Sequence, residues 1–397
     1  MSTPRILLFT GKGGVGKTTL AAASAYRAAQ KGTKTLILST DPAHSLSDAM
    51  DVELQPEPMQ VKQNLYAQEI DLFYSMKKYW ENIRSLMLSL LKWQGVDSVA
   101  AEEMASIPGM EEGSALLWLE KFYSEGEYDL IIVDSAPTGE TLNLLTLPEV
   151  SRWWLKKAFP FQRFAIKTVG TAVRGVTGVP LDKGYDELNR MFDKLNRVQE
   201  ILTDSSKSTI RLVVNPERMV IQEARRGYTY FQLYGYTVDA ILVNRVLGEE
   251  AATGFFKHYY EAQQEYLTEI ANSFAPLPIL QVPHQGKEVF GFDLLNQIGK
   301  SAYEERNPAD FLYEKKNYEV KHLKDDRYVF RINLPFVGEE EVKVRHHGEE
   351  LILQIRNQRR NLFLPRFLLF YQLEETEFEG DWLNVYFKPS DKNKALE

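Results

Sequence analysis

Residues 11–18 read Gly11-Lys12-Gly13-Gly14-Val15-Gly16-Lys17-Thr18, and this stretch decides the fold. It has the G-x-x-x-x-G-K-[ST] spacing of a phosphate-binding loop, with a second lysine, Lys12, near its start. The residues on either side fit that reading. Arg5-Ile6-Leu7-Leu8-Phe9-Thr10 reads as a short buried strand, and Thr18 to Lys31 is alanine-rich and helical. A strand, a glycine-rich turn and a helix start gather backbone N–H groups and a positive dipole end around one anion. Lys17 is placed for the outer phosphates of a nucleotide, and the Thr18 hydroxyl for Mg²⁺. Lys12 points to a second role, toward a nucleotide held across a dimer interface. The bland alternative, a glycine-rich turn that binds nothing, does not call for this strand and helix on its two sides.

Working outward, Leu38-Ser39-Thr40-Asp41-Pro42-Ala43-His44-Ser45-Leu46-Ser47-Asp48 follows a second strand. Asp41 falls at its carboxyl end, where an open α/β sheet binds its ligand. A carboxylate there either orients the attacking water or holds Mg²⁺ through water, and phosphoryl transfer needs mostly such positioning and charge neutralisation. Asp134 ends the strand Leu130-Ile131-Ile132-Val133 and fits a Walker-B role, also toward Mg²⁺. The turn Asp134-Ser135-Ala136-Pro137-Thr138-Gly139 is a candidate γ-phosphate sensor. An isolated aspartate after a strand is more often a helix cap. Two of them beside a full phosphate loop favour function.

Strand-like and helix-like segments alternate from Met1 to about Arg306, which predicts an α/β fold with a mainly parallel sheet. The expected core strands are Arg5–Thr10, Lys34–Thr40, Tyr66–Asp71, Asp129–Asp134, Ile210–Val214, Ala240–Asn244 and Pro278–Val282. Two helical insertions, about 72–125 and 150–208, are too long for ordinary crossovers. In the first, Leu72, Met76, Tyr79, Ile83, Leu86 and Leu90 recur at helical spacing, and Phe73, Trp80 and Met87 widen the stripe. In the second, Val150 to Leu181 has no acidic residue but six basic ones among Trp153, Trp154, Phe161 and Phe164. After a linker over 307–317 the period changes to two. Tyr328, Phe330, Ile332 and Leu334 alternate with Val329, Arg331 and Asn333, so residues 318–397 read as a small all-β domain.

Bulk properties narrow the function. A net charge of −8 argues against a mainly nucleic-acid-binding surface. The absence of cysteine excludes disulfides, thiolate metal sites and iron–sulfur clusters. A core strand starting within about five residues of Met1 leaves no room for a signal peptide, and no run of ~18 uncharged apolar residues spans a membrane. The expected location is the cytoplasm, or a plastid stroma for a processed form.

These motifs together resemble the ATPase family of the arsenical pump-driving ATPase (ArsA) and the GET-pathway factor that targets tail-anchored membrane proteins. The resemblance covers about the first 300 residues. It rests on the two-lysine loop, the segment from Ser39 to Asp48, Pro108-Gly109-Met110-Glu111-Glu112 and the turn from Asp134 to Gly139, with weaker matches at Asn215-Pro216-Glu217, Val243-Asn244-Arg245 and Pro283. It implies ATP and Mg²⁺ as ligands. It implies phosphate contacts from Gly11, Gly13, Gly14, Val15, Gly16, Lys17, Thr18 and Thr19, a signature lysine at Lys12 acting across a dimer, and a water-polarising aspartate at Asp41. Asp134 matches the Mg²⁺-side aspartate, the aspartates acting through water. Asn244 and the segment around Pro283 match the family's adenine pocket, and Asn215 and Pro216 are implied among the nucleotide-binding residues. A single copy of the domain implies a homodimer.

The sequence departs from the family pattern in two places. Glu140 stands where the family often has histidine, and the paired zinc-binding cysteines are missing, so no zinc is expected. In the family, insertions at these positions line a groove for a client's transmembrane helix. That makes Leu72, Met76, Tyr79, Ile83, Leu86, Met87, Leu90, Trp153, Trp154, Phe161 and Phe164 the candidate groove here. The alternative for the helical stripe is plain core packing. The basic charges of the second insertion suit an anionic membrane surface or a solvated helix face. The tail resembles an α-crystallin (small heat-shock protein) domain, on Tyr328 to Pro335, Val342-Lys343-Val344, Leu351 to Ile355 and Gly380 to Phe387. The expected function is a homodimeric ATPase that opens and closes a groove for hydrophobic membrane-protein segments, a targeting factor or chaperone. The alternatives are a partitioning or positioning ATPase on DNA or a membrane surface, and a general chaperone ATPase.

Overall fold

The computed structural model describes residues 3–41, 45–81, 88, 97, 110–136, 138–147, 181–314, 318–324, 326–347, 350–364, 368 and 370–390, without the side chains of 72, 110–112, 181–188 and 363. Along the chain these form β1 (Arg5–Thr10), α1 (Lys17–Gln30), β2 (Thr35–Ser39), α2 (Ser45–Met50), β3 (Met59–Lys62), β4 (Leu65–Glu69), α3 (Leu72–Ser75), α4 (Met110–Glu125), β5 (Leu130–Asp134) and α5 (Leu181–Thr203). They continue with β6 (Ser208–Val214), α6 (Arg218–Tyr234), β7 (Val238–Val246), α7 (Lys257–Phe274), β8 (Ile279–Pro283) and α8 (Gly291–Tyr303). The C-terminal strands are β9 (Tyr318–His322), β10 (Tyr328–Asn333), β11 (Val342–His347), β12 (Glu350–Ile355), β13 (Gln358–Phe363), β14 (Tyr371–Glu379) and β15 (Trp382–Pro389). Among the described residues no helix is long and apolar enough to cross a membrane. The chain divides into two compact units, one of residues 1–207 and 287–310, the other of 208–286 and 311–397.

In the first unit the strands run in the order β3–β4–β2–β5–β1. All pair in parallel except the antiparallel edge strand β3. β1, β2 and β5 are buried along their whole length, which is why they read as unbroken apolar runs. The register sets Ser39 opposite Asp134 and Phe9 opposite Asp134, so the ends of three neighbouring strands meet. Helix α1 owes its close seat to small residues: Ala21, Ala22, Ala23, Ala25 and Ala28 are all buried. Helix α8 lies against it, with the hydroxyls of Ser24 and Tyr303 2.7 Å apart. A Cβ on Gly299 would stand 2.9 Å from the Ala23 carbonyl oxygen and 3.1 Å from Arg27 Cβ. Gly299→Val is therefore expected to cost about 1–3 kcal/mol, read as a lower urea midpoint with unchanged slope.

The root of the first insertion is locked by two reciprocal bonds. Trp80 Nε1 donates to Ser114 Oγ and Trp118 Nε1 donates to Ser75 Oγ, each at 2.9 Å, and all four residues are buried. After α3 the chain winds as a π-helix over Met76–Trp80, so the next residues do not follow the α-helical period. Gly113 leaves room for the Trp80 ring, since a Cβ there would meet its Cζ2 at 2.7 Å.

In the second unit β6, β7 and β8 pair in parallel in that order. The C-terminal part is all antiparallel: a four-stranded sheet β14–β15–β10–β9 and a three-stranded sheet β11–β12–β13. Phe330, Ile332, Leu334, Leu351, Leu353, Ile355, Leu383, Val385 and Phe387 form its core, as their alternation predicts. Arg331 faces Asn384 across the ladder and donates to its Oδ1 at 2.7 Å.

This β region is fastened to α6. Thr229 Oγ1 donates to the Pro335 carbonyl at 2.6 Å, and the Tyr234 hydroxyl to Gln358 Oε1 at 2.8 Å. Phe336 packs edge-on to Phe274 with ring centres 5.9 Å apart. Helix α6 ends on Gly235 at φ 82°, with Gly235 N–H bonded to Gln232 O and Tyr236 N–H to Phe231 O. The Arg360 guanidinium of β13 donates to the neighbouring Leu233 carbonyl, completing the cap with a positive charge at the negative end of the helix.

Candidate active site

The phosphate loop joins β1 to α1, and its shape depends on glycine at two points. Gly14 has φ 79° and Gly16 φ 92°, the left-handed region that other residues avoid. Gly16 is the residue before the helix, no side chain caps α1, and its first turn carries no acidic residue. The helix N-terminus thus faces the loop with its amide dipoles uncompensated, which suits an anion. Gly13 and Gly14 are exposed, Gly11, Val15 and Lys17 are buried, and Lys12, Thr18 and Thr19 are half-buried. Lys17 Nζ donates to the Lys12 carbonyl at 3.4 Å.

Around this loop the strand ends bring the acidic residues together. Ser39, the last residue of β2, bridges two of them. Its hydroxyl donates to Asp134 Oδ2 at 3.4 Å and accepts the Asp41 N–H at 3.3 Å. Thr40 N–H donates to the Asp134 carbonyl at 2.9 Å. On the other side the Thr138 N–H donates to the Gly11 carbonyl at 3.2 Å, which ties the turn after β5 to the loop. Below lies a buried hydroxyl relay: Ser135 Oγ donates to the Phe9 carbonyl at 2.6 Å and lies 2.9 Å from Thr141 Oγ1, itself 2.9 Å from Thr10 Oγ1. Thr18 Oγ1 lies 3.1 Å from Ser45 Oγ.

Asp134 is the electrostatic centre. It is 1% exposed, and its Oδ1 has no hydrogen-bond partner. Burial pushes its carboxyl up to about 7, and the nearby Asp41 adds to the rise, against the pull of the Thr18 and Ser39 hydroxyls and the Lys17 charge. A carboxylate left dry with one bare oxygen is costly unless a cation comes to it. The hydroxyl of Thr18 beside two carboxylates is an all-oxygen donor set, the kind Mg²⁺ takes together with waters and phosphate oxygens. The residues present therefore fit that ion. The Thr138 hydroxyl is also buried without a partner, on the turn expected to sense phosphate.

The remaining site residues fall elsewhere. Asn215 and Pro216 line a cavity of about 500 Å³ in the second unit. Asn244 and Pro283 adjoin two of its lining residues, Arg245 and His284, and the Asn244 Oδ1 accepts the Arg245 N–H at 2.9 Å. Of the candidate groove, Met76 is half-buried, and Tyr79 packs edge-on to Trp118 with ring centres 5.3 Å apart. Burial pushes the Tyr79 phenol up. Phe73, at the root of the insertion, is 83% exposed. Ile83, Leu86, Met87, Leu90, Trp153, Trp154, Phe161 and Phe164 lie outside the described residues, as does the side chain of Leu72. Ser39, Ser45 and Thr141 join the site through their hydroxyls; Ser39 and Ser45 stand inside the Ser39–Asp48 motif, while Thr141 carries no sequence signal of its own.

Comparison with known proteins adds to this geometry. Residues 4–304 match the family of anion-transporting ATPases, and residues 325–387 match the HSP20-like domain found in ArsA. A Prosthecochloris vibrioformis protein named after the arsenical pump-driving ATPase is 37% identical, covering 96% of each chain. An Aquifex aeolicus protein named likewise is 35% identical over 96% of this chain and 99% of its own. The Paramecium tetraurelia "ATPase ASNA1 homolog 1" is 31% identical over 72% of this chain and 89% of its own.

Proposed function

The chain belongs to the anion-transporting ATPase family and is an ATPase, and from that premise we propose that it works as a homodimer coupling ATP binding and hydrolysis to a groove for hydrophobic membrane-protein segments. In this reading it is a targeting factor or chaperone for such segments. Thr18, with Asp41 and Asp134 through water, would hold Mg²⁺, which when bound neutralises the phosphate charge. Lys17 binds the outer phosphates, Asp41 orients the attacking water, and the Thr138 turn reports on the phosphate. Lys12 acts on the nucleotide of the second copy. No zinc and no nucleic acid enter this scheme; an anionic membrane surface does, as the place where a client is delivered.

The observation that supports the client role is Phe73. Its ring is held out to solvent at the root of the insertion, on a segment fixed by the two tryptophan–serine bonds. A large exposed apolar ring on a locked base suits an apolar partner. The partitioning-type alternative calls for a C-terminal amphipathic anchor or a basic DNA face, whereas residues 371–389 form the strands β14 and β15 and the net charge is −8.

The test uses the full chain and a synthetic transmembrane peptide. With a non-hydrolysable ATP analogue the protein should keep the peptide in solution, and with ADP it should not. Light scattering that ignores the protein in every nucleotide state would overturn the client role. The dimer role of Lys12 has its own expected result. Lys12→Ala should lower turnover by roughly 10³-fold, on the scale of other cations supplied in trans. Mixing it with an Asp41→Asn chain should restore part of the activity, because one of the two sites in the mixed dimer keeps both groups. No recovery on mixing would place Lys12 in its own chain's site.

A further inference from the structure

Helix α2 has six residues, too few to hold its place without anchors from outside. Leu46, Ala49 and Met50 bury its apolar side. Its polar anchor is Glu69, the last residue of β4, which is 6% exposed. Both carboxyl oxygens grip one residue. The Ser47 N–H donates to Oε1 at 2.8 Å and the Ser47 hydroxyl to Oε2 at 2.6 Å. Ser47 is engaged on its other atoms as well: its Oγ accepts the Leu54 N–H at 3.4 Å and its carbonyl the Val52 N–H at 3.2 Å. The clamp stands on the central sheet, the most rigid part of the unit. Glu69 lies opposite Ser39 in the β2–β4 pairing, and Ser39 lies opposite Asp134. The Ile70 N–H donates to the Ser39 carbonyl at 3.2 Å. Glu69, Ser39 and Asp134 thus share one row at the carboxyl ends of three strands.

Two residues before Ser47 stands Ser45, whose Oγ lies 3.1 Å from Thr18 Oγ1. A hydroxyl has one proton and two lone pairs. The Thr18 proton turns to Asp134, whose carboxyl it holds down. The Ser45 hydroxyl is then the donor between the two serine and threonine oxygens, and it takes one Thr18 lone pair. The second lone pair is left with a fixed direction. We propose that Glu69 is a positioning residue: by clamping Ser47 it sets α2 so that Ser45 aims the Thr18 hydroxyl at the Mg²⁺ of the bound nucleotide. The proposal rests on the ATPase reading above and adds to it a residue that acts through Ser47 and Ser45. Bonds to a carboxylate at these lengths are among the stronger ones. Outer partners that orient a metal's ligand typically count for about 10–100-fold in metal affinity.

The experiment measures the affinity of the full chain for a fluorescent, non-hydrolysable ATP analogue, once in Mg²⁺ and once in EDTA. The native chain should bind it more tightly in Mg²⁺. Glu69→Ala should lose about tenfold or more of that gain. Its affinity in EDTA should stay within about twofold, because the loop amides that hold the phosphates are untouched. Glu69→Gln still offers one oxygen to the Ser47 N–H and should keep part of the gain. Ser45→Ala should lose as much as Glu69→Ala, and the double variant no more than either, since both changes break one line of contacts. Losses that add in the double variant overturn the proposal. A merely structural Glu69 would lower the melting temperature and leave the Mg²⁺ gain intact, and that result overturns it too. Should Glu69→Ala not fold, Ser47→Ala decides. It removes the 2.6 Å bond alone and should lose part of the gain, and a gain equal to the native one overturns the proposal. A native chain that binds the analogue equally in Mg²⁺ and EDTA would overturn the Mg²⁺ reading of the site and the proposal with it; a native gain that Glu69→Ala retains overturns the proposal alone.

Discussion

Asp41→Asn is expected to lower ATP turnover by about 10²–10³-fold while ATP affinity stays within a few-fold. The asparagine keeps size and shape. The Asp41 N–H is held by Ser39 Oγ at 3.3 Å, a bond that the substitution leaves in place. What disappears is a negative charge at the carboxyl end of β2, next to the phosphate loop. A group that only orients and polarises water acts in the transition state, so kcat should drop with little change in binding. Phosphate release under saturating ATP and titration with a fluorescent nucleotide separate the two quantities. Turnover within twofold of the native chain would remove Asp41 from the mechanism.

The second large effect concerns Asp134. Asp134→Asn should lower Mg²⁺-dependent turnover by about 10²-fold or more. It should also make the nucleotide-free protein more stable, by about 1–2 kcal/mol. The sign follows from the carboxyl's surroundings. Burial raises it, Asp41 raises it further, and Oδ1 has no partner, so the ionised group is held at a cost in the fold. An amide removes the charge and still accepts from Ser39. The cost is then one the site carries for its cation, a trade of stability for function. Urea melts without nucleotide, paired with turnover as a function of Mg²⁺, measure both halves. A variant that loses activity and also melts lower would mean that Asp134 is chiefly structural.

Much of this was legible in the chain itself. The strands Arg5–Thr10 and Leu130–Asp134 read as buried because both faces are covered and the residues form unbroken apolar runs. The phosphate loop was legible because its glycines and lysine act at fixed spacing. β3 was not, since it has only four residues and alternates between half-buried and exposed. The bridge from Ser39 to Asp134 was not legible either. It depends on a parallel register between strands 95 residues apart, which no local pattern encodes. At the first insertion a period of 3.6 set Met76 and Tyr79 on one stripe, with Phe73 and Trp80 beside it. The π-helix over Met76–Trp80 breaks that period, and Trp80 turns inward onto Ser114 while Phe73 stays out. The cavity around Asn215 needed distant segments brought together, and of its walls Asn215, Pro216, Glu217 and Arg245 stood in recognisable motifs while Phe256, Tyr259 and Gln263 did not.

The cap that Arg360 places on α6 bears on how the molecule comes apart. Two sequence families meet between residues 304 and 325, which invites a picture of an enzyme with a detachable appendage. The compact unit instead unites residues 208–286 with 311–397. Helix α6 borrows its last hydrogen bond from the C-terminal sheet, and Tyr228, Phe274 and Phe336 share one aromatic core. Under denaturant the C-terminal strands and the β6–β8 layer therefore melt as one cooperative block. The boundary between the two matched family models is then not the expected line of fracture.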